Sequence, residues 1–204
     1  MAISLNQLPR DYELLVATGR TTWPGDAYLD ALDAEWIPQA KLGDREWFYC
    51  DPIPNLLPFA FSGGHDLWCW RLDVPTGDHE FEIIFAPRDC VEGDRWAPTF
   101  STWAFRQALE EATTFWDPEP EARTHLAAWT SVLRELGHAE LAETIAGINA
   151  RSLHEGSRGK GSTFRSWQFL IEPDEYERLV SRFVGAEYWK APIRWMAGNE
   201  AAVD

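Results

Sequence analysis

The chain has 204 residues, 45% of them hydrophobic, and a formal net charge of −15. Twelve tryptophans and eleven phenylalanines exclude a disordered polymer, because a solvated chain carries far less apolar surface. The negative charge disfavours nucleic acid and anionic membranes as partners and favours a basic protein, although an acidic surface can also serve solubility alone.

The first predicted elements are one helix and two short strands. Leu8 to Thr18 is typical of a helix, with Pro9 in its first turn and Gly19 as its stop. The run Trp36-Ile37-Pro38 predicts at best an edge strand because of its proline. The run Trp47-Phe48-Tyr49-Cys50 predicts a strand from its β-propensity.

A hairpin is predicted next, where Leu56 to Arg71 reads LLPFAFSGGHDLWCWR. Two short aromatic runs flank Gly63-Gly64, and glycine adopts the positive φ of a tight turn without a Cβ clash. Alternation along the second strand places Trp70 and Arg71 on opposite faces. We expect the Arg71 face, which also carries Cys69, to meet water.

A further strand and a helix follow the hairpin. Pro75 to Asp78 predicts a turn, and Glu80 to Ala86 predicts a strand with Phe81, Ile83 and Phe85 on one face, which makes a meander of four to six strands. Apolar residues at helical spacing then predict a helix capped by Ser101.

The remaining elements are mainly helical. After a composition break at Asp117 to Pro120, apolar spacing predicts one helix that ends at Gly137 and a second that includes Leu141, Ile145 and Ile148. The stretch Gly156 to Gly161 predicts a flexible basic loop. Phe164 to Ile171 predicts a strand, followed by a helix that begins at Pro173.

The succession of three motifs resembles the SUKH superfamily, the Smi/Knr-like domain. The motifs are the Leu8 to Tyr12 helix start, the Pro58 to Trp70 hairpin and the helix near Ser101. One departure is His65, where the family more often has glycine or another small residue. Ile171 to Tyr176 and the Arg194-Trp195-Met196 close also resemble the tail of some bacterial members.

The elements and the resemblance together predict an α+β fold, SUKH-like, with a mostly antiparallel sheet and helices packed on one side. We expect a SUKH-like core domain over residues 1–117. Residues 118–204 are expected to form a mainly helical C-terminal extension packed on that core.

The resemblance implies a binding protein without catalysis. Bacterial proteins of SUKH type are widely associated with immunity to polymorphic toxins, many of them nucleases, so the expected partner is the basic domain of a cognate toxin. Carboxylates beside an aromatic anchor suit a basic cleft that binds phosphates. The residues predicted to bind the partner are Asp44, Glu46, Trp47, Asp51, Asp66, Asp78 and Glu80.

Two other functions stay open at this point. One is an intracellular regulatory scaffold of Smi/Knr type. The other is a carbohydrate-binding or hydrolytic module that acts through tryptophans and paired acids. The oligomeric state is not specified by any pattern in the chain.

No motif predicts a catalytic, metal or cofactor site. Gly159-Lys160 is followed by Gly161 and lacks the other features of a phosphate-binding loop. The five histidines show no metal-ligand spacing, and no serine or cysteine stands in a nucleophile motif. We therefore expect no enzymatic activity, no metal and no cofactor.

The cysteines and the lack of a membrane segment favour a cytoplasmic protein. The three cysteines cannot all pair within one chain, and none stands in a Cys-x-x-Cys motif, so reduced thiols are expected. No apolar stretch approaches the roughly 18 residues that cross a bilayer, and the N-terminus lacks the pattern of a secretory signal.

Overall fold

The computed structural model describes residues 8–18, 34–44, 52, 55–62, 64–115, 119–158 and 165–196. The helices are α1 (Arg10–Ala17), α2 (Phe100–Thr113), α3 (Glu119–Glu135), α4 (Ala139–Asn149) and α5 (Pro173–Val180). The strands are β1 (Ala34–Trp36), β2 (Leu56–Ser62), β3 (Leu67–Gly77), β4 (Glu80–Ala86), β5 (Glu92–Ala97), β6 (His154–Arg158), β7 (Arg165–Phe169) and β8 (Pro192–Arg194).

One antiparallel sheet organises the molecule. Its strand order is β1-β2-β3-β4-β5-β8, and β6 pairs with β7 in a separate hairpin. The predicted α+β class, with a mostly antiparallel sheet, is therefore confirmed. The chain after residue 118 contributes helices α3, α4 and α5, and it also contributes β8, the strand at one edge of the sheet. The predicted edge strand at Trp36 lies at the opposite edge, while residues 45–50, and with them the predicted Trp47 strand, lie outside the described residues.

The predicted β2–β3 hairpin is confirmed, but its turn differs from the expectation. Leu57 pairs with Trp70 in the observed register. His65, not Gly64, takes the left-handed conformation, with φ of 64°, and Gly63 lies outside the described residues. The His65 N–H donates to the Ser62 carbonyl at 2.7 Å, so this hydrogen bond ends at the residue that holds the positive φ, a conformation uncommon outside glycine.

The β3 strand is longer than predicted. Its pairing with β4 continues through Pro75 and Gly77, although the register shifts twice on the way. The turn therefore falls at Asp78 and His79, two residues later in the chain than the centre of the predicted turn. His79 has φ of 56° and makes the reversal that glycine usually makes.

An aromatic core lies between the sheet and the helices. Tyr12 of α1, Phe59 of β2, Trp70 of β3 and Phe100 of α2 are all fully buried. The ring centroids of Phe59 and Trp70 lie 4.5 Å apart, and those of Tyr12 and Trp70 lie 4.8 Å apart. Burial raises the pKa of Tyr12 to about 12. Rings of this size bury large apolar areas, so this contact fixes α1 on the sheet.

The opposite face of the sheet is also covered, so the prediction that the Arg71 face meets water is wrong. Cys69 and Ile84 are fully buried there beneath Trp195, itself fully buried. The Trp195 N–H donates to the Val91 carbonyl at 3.0 Å, which holds the segment after β8 against the sheet. Burial in this apolar cluster also raises the pKa of the Cys69 thiol.

The predicted helices α3 and α4 are confirmed, and Gly137 ends the first of them with φ of 86°. The predicted cap of α2 is wrong by two residues: Thr99 caps the helix and exchanges hydrogen bonds with Thr102 in a capping box. Gly156 to Arg158 belong to β6 and not to a flexible loop, while residues 159–164 lie outside the described residues.

Candidate protein-binding surface

The β3–β4 hairpin extends beyond the end of β2, the strand that pairs with the other edge of β3. The pairing of β2 with β3 begins at Leu56 opposite Arg71, so the part of β3 after Leu72 pairs with β4 alone. Asp73 and the Pro75 to His79 stretch are exposed along this two-stranded ribbon. A hydrogen bond from the Thr76 hydroxyl to the Pro98 carbonyl ties the ribbon to the start of α2.

Three carboxylates, which we call the hairpin acids, lie on this ribbon: Asp73, Asp78 and Glu80. The Asp78 side chain is fully exposed, at 101% of its reference area, and its Oδ1 lies 3.7 Å from Nε2 of the half-exposed His79. The Asp73 side chain is 45% exposed and pairs with Arg71 at 3.2 Å. Asp78 is therefore the hairpin acid whose charge is least neutralised by its surroundings.

Glu80 differs from the other two because it is half-buried. Its carboxylate accepts a hydrogen bond from the Phe100 N–H at 3.4 Å, at the start of α2. Burial raises its pKa to about 7, with the Phe100 N–H and His138 acting against the rise and Asp11 adding to it. A carboxyl with this pKa exchanges its proton near neutral pH, so its charge depends on what lies beside it.

Asp66 lies at the opposite end of β3. Its Oδ1 accepts the Arg88 N–H at 2.9 Å, and its Oδ2 lies 3.3 Å from the Ser62 hydroxyl. These bonds join the β2–β3 turn to the β4–β5 loop. Asp66 and Asp78 flank the two ends of β3, which runs alongside the whole of β4, and the seven residues of β4 span about 20 Å. The structure therefore does not bring these two predicted site residues together.

The other predicted partner-binding residues belong neither to the hairpin acids nor to the contacts of Asp66, or they lie outside the described residues. Asp44 is exposed, and its N–H donates to the Lys41 carbonyl at 3.2 Å. It follows Gly43, which lies beside Leu57 near the start of β2. Glu46, Trp47 and Asp51 lie outside the described residues.

Sequence reasoning missed Asp73, because the predicted turn at Pro75 left it between two elements with no assigned role. It also missed the hydrogen bond between His138 and Asp11 and the one from the Phe100 N–H to Glu80. Each of these bonds joins two segments that lie far apart in the chain, so no local pattern links them. An acid two residues before a predicted hairpin turn, as Asp73 is, is the one signal that could have been used.

Most of the described tryptophans belong to the core. Six of the nine, at positions 36, 68, 70, 103, 129 and 195, are buried. Trp167 on β7 is half-buried and lines a groove of about 300 Å³ together with Phe115, Glu155 and Gln168. This groove places a carboxylate and an amide beside an indole ring. All of its residues come later in the chain than the hairpin acids.

Two further observations concern the part of the chain that the structure describes. No three His, Cys, Asp or Glu side chains there are grouped so that they could hold a metal ion. None of the helices found there combines the length and the apolar character that a membrane span requires.

Comparison with known proteins adds no relative. No protein-family model, no curated protein and no solved structure matches this chain.

Proposed function

We propose that this chain is a non-catalytic protein-binding protein of SUKH immunity type, which neutralises a basic toxin domain by covering its active cleft. The single observation that carries the proposal is the exposed Asp78 carboxylate at the tip of the β3–β4 ribbon. The resemblance of the Leu8 to Tyr12 helix start, the Pro58 to Trp70 hairpin and the helix near Ser101 supports the protein class. The net charge of −15 supports a partner of positive charge.

The ribbon suits this task because it is held in place before it binds. Its strands are hydrogen-bonded to each other, and Thr76 ties it to the start of α2. A preorganised carboxylate loses little conformational entropy on binding, so more of its interaction with a lysine or arginine appears as affinity. A nuclease cleft binds phosphates through the same cations, so carboxylates placed there compete directly with the nucleic acid.

The first experiment identifies the partner. The full chain is recovered from native cells in moderate salt, and the protein that remains bound is identified by mass spectrometry. The proposal expects a toxin with a basic domain, encoded beside this chain. An intracellular regulatory protein with no adjacent toxin gene would instead favour a Smi/Knr-type scaffold, and an acidic partner would contradict the proposed mode of binding.

The second experiment tests the surface. Reversal of Asp73 and Asp78 to lysine is expected to slow association with the purified partner by about tenfold and to weaken its salt dependence. The matched control reverses Asp89 and Glu92, two exposed acids of the β4–β5 loop and β5, at the other end of the sheet. If the control slows association and the hairpin variant does not, the proposed surface is wrong.

Carbohydrate binding is a second candidate function, and the groove beside Trp167 is the observation in its favour. An indole face with a carboxylate and an amide beside it can stack on a sugar ring and bond its hydroxyls. Soluble oligosaccharides are titrated into the wild type and into Trp167→Phe while indole fluorescence is recorded. A saturable change that Trp167→Phe abolishes would support this candidate, and no change in the wild type would reject it.

A further inference from the structure

The end of the β3–β4 ribbon is formed by two residues, Asp78 and His79, which we call the ribbon tip. Gly77 pairs with Glu80 in the observed register, so these two residues make the turn between the strands. Oδ1 of Asp78 lies 3.7 Å from Nε2 of His79, and half of the His79 side chain is exposed. The ribbon tip therefore presents a carboxylate and a planar ring side by side to an approaching molecule.

The backbone of this turn does not require a histidine. The φ of His79 is 56°, a conformation that glycine adopts without a steric clash and that asparagine tolerates. The ring is half-exposed, so it buries less surface than a core residue of its size. An outlying backbone conformation at an exposed position indicates a role in contact with another molecule, because glycine would serve the fold as well.

The ribbon tip is held in place through both of its strands. On β3 the Thr76 hydroxyl donates to the Pro98 carbonyl, and on β4 the Glu80 carboxylate accepts the Phe100 N–H at 3.4 Å. Both bonds lead to the segment that begins α2, so the ribbon is joined to the body of the molecule on each side. A tip fixed in this way loses little conformational freedom when it binds.

The other two hairpin acids already have partners. Asp73 pairs with Arg71 through two hydrogen bonds, and Glu80 accepts the Phe100 N–H. The fully exposed carboxylate of Asp78 therefore carries the charge that a cation meets first at this end of the ribbon.

We propose that the ribbon tip binds an arginine side chain of the partner, with the guanidinium paired to the Asp78 carboxylate and stacked on the neutral ring of His79. A guanidinium can do both at once, because its N–H groups lie in its plane and its flat face packs on rings. A lysine ammonium can pair with the carboxylate, but it has no flat face and holds its water more strongly. This inference rests on the proposed function, which brings a basic partner to the hairpin acids.

Two peptides of equal charge test the preference for arginine without the partner. Hexa-arginine and hexa-lysine are titrated at low salt into the full chain, labelled for NMR, and the signals of the Asp78 amide and the His79 ring are followed. The pH is 8, at which an imidazole is ordinarily neutral. Hexa-arginine should shift these signals and reach half-saturation at a concentration about two- to fivefold lower than hexa-lysine.

Two asparagine variants separate the ring from the shape of the turn. His79→Asn removes the ring but keeps a residue that tolerates positive φ, so it should fold like the wild type and bind the two peptides equally at the ribbon tip. His65→Asn is the matched control, because His65 has φ of 64° at the other end of β3, and it should retain the preference for arginine. Thermal unfolding of both variants checks that they fold.

Four outcomes overturn the inference: no shift of the ribbon-tip signals with hexa-arginine, equal binding of the two peptides there, a preference that His79→Asn retains, or a preference that His65→Asn also loses. If His79→Asn does not fold, the comparison of the two peptides at the wild-type tip decides.

Failure of this inference can be told apart from failure of the proposed function. A toxin partner whose binding depends on the hairpin acids, together with a tip that does not distinguish the peptides, contradicts the inference alone. A tip that prefers hexa-arginine in a chain whose cellular partner is not a basic toxin contradicts the proposed function alone.

Discussion

Oε1 of Glu82 lies 2.6 Å from Nε of Arg95, and the glutamate side chain is completely buried. Its other oxygen lies 3.2 Å from Nη1 of Arg71. The three side chains come from β4, β5 and β3, so one carboxylate connects three neighbouring strands. Removing a charge from water costs several kcal/mol, and this cost is offset only when both oxygens are paired.

Loss of the shorter of these two ion pairs should destabilise the protein more than loss of the longer one. Arg95→Met leaves Oε1 of the buried carboxylate without its 2.6 Å partner and is expected to cost about 3 kcal/mol in urea unfolding. Arg71→Met is the matched control and should cost less, because Arg71 divides its hydrogen bonds between Glu82 and the exposed Asp73. An equal or larger cost for Arg71→Met would contradict this ranking.

Stability should fall as pH rises because of a second carboxyl, that of the half-buried Glu110 of α2. Burial raises its pKa, against the hydrogen bond that the Tyr176 hydroxyl donates and the charge of Arg106. The folded state therefore binds more protons, and this contribution to stability is present below the ordinary pKa of 4.5 and lost as pH rises.

Glu110→Gln removes this proton-linked contribution. Relative to the wild type, the free energy required to unfold this variant should increase between pH 4 and pH 8, as measured by urea unfolding at several pH values. Tyr176→Phe serves as a check on the local geometry and should cost about 2 kcal/mol, because it leaves the buried Arg106 and the half-buried Glu110 with one partner fewer each. A difference between Glu110→Gln and the wild type that does not change with pH would contradict the argument.

The β6–β7 hairpin should not tolerate a side chain at Gly156. A Cβ there would lie 2.5 Å from Cε2 of Trp167, which covers the glycine from the opposite strand. Gly156→Ala is expected to destabilise the protein by about 1–2 kcal/mol, because the indole must move aside. In the background of Trp167→Leu the same substitution should cost little, and a cycle of the four proteins measures the coupling. Additive costs would show that the close approach is unimportant.

Cover of the second sheet face by Trp195 should protect Cys69 from reagents. Cys69 is buried beneath this tryptophan, whereas Cys90 in the β4–β5 loop is exposed. Iodoacetamide should label Cys90 and spare Cys69 in the wild type, as mapped by peptide mass spectrometry. Trp195→Ala should cost about 3–5 kcal/mol and open Cys69 to labelling. Rapid labelling of Cys69 in the wild type would contradict the observed cover.

Much of the secondary structure could be predicted because its cause is local. The alternation in Leu67 to Leu72 and the apolar spacing around Trp129 report which residues face a core, whatever that core contains. Local chemistry was less decisive at boundaries. Thr99, Ser101 and Thr102 all offer hydroxyls near the start of α2, and the pattern alone does not say which of them accepts the first helical N–H.

The β6 strand shows how a distant residue overrides local preference. Gly156 is a poor strand former, so its segment predicts a loop. In the structure it pairs with Trp167, whose ring covers the glycine backbone and supplies the packing that the glycine lacks. The turn residues His65 and His79 illustrate the same limit, because each holds a positive φ that its own preference disfavours.

The candidate surface was only partly predictable for a related reason. Asp66 and Asp78 both follow from turn chemistry, but the length of the strand between them decides whether they share a surface. The predicted hairpin ended at Arg71, while pairing with β4 carries the strand to Gly77 and places the two acids at opposite ends. Predicted binding by these residues stays a prediction.

By itself, the sequence determined the acidic charge, the aromatic content and the order of helices and strands, because each depends on composition or on residues a few positions apart. Tertiary structure decided which acids share an end of the sheet, what covers Cys69, and that Asp11 meets His138. Those outcomes depend on contacts between segments separated by many tens of residues, and such contacts form only when the whole chain buries its apolar surface together.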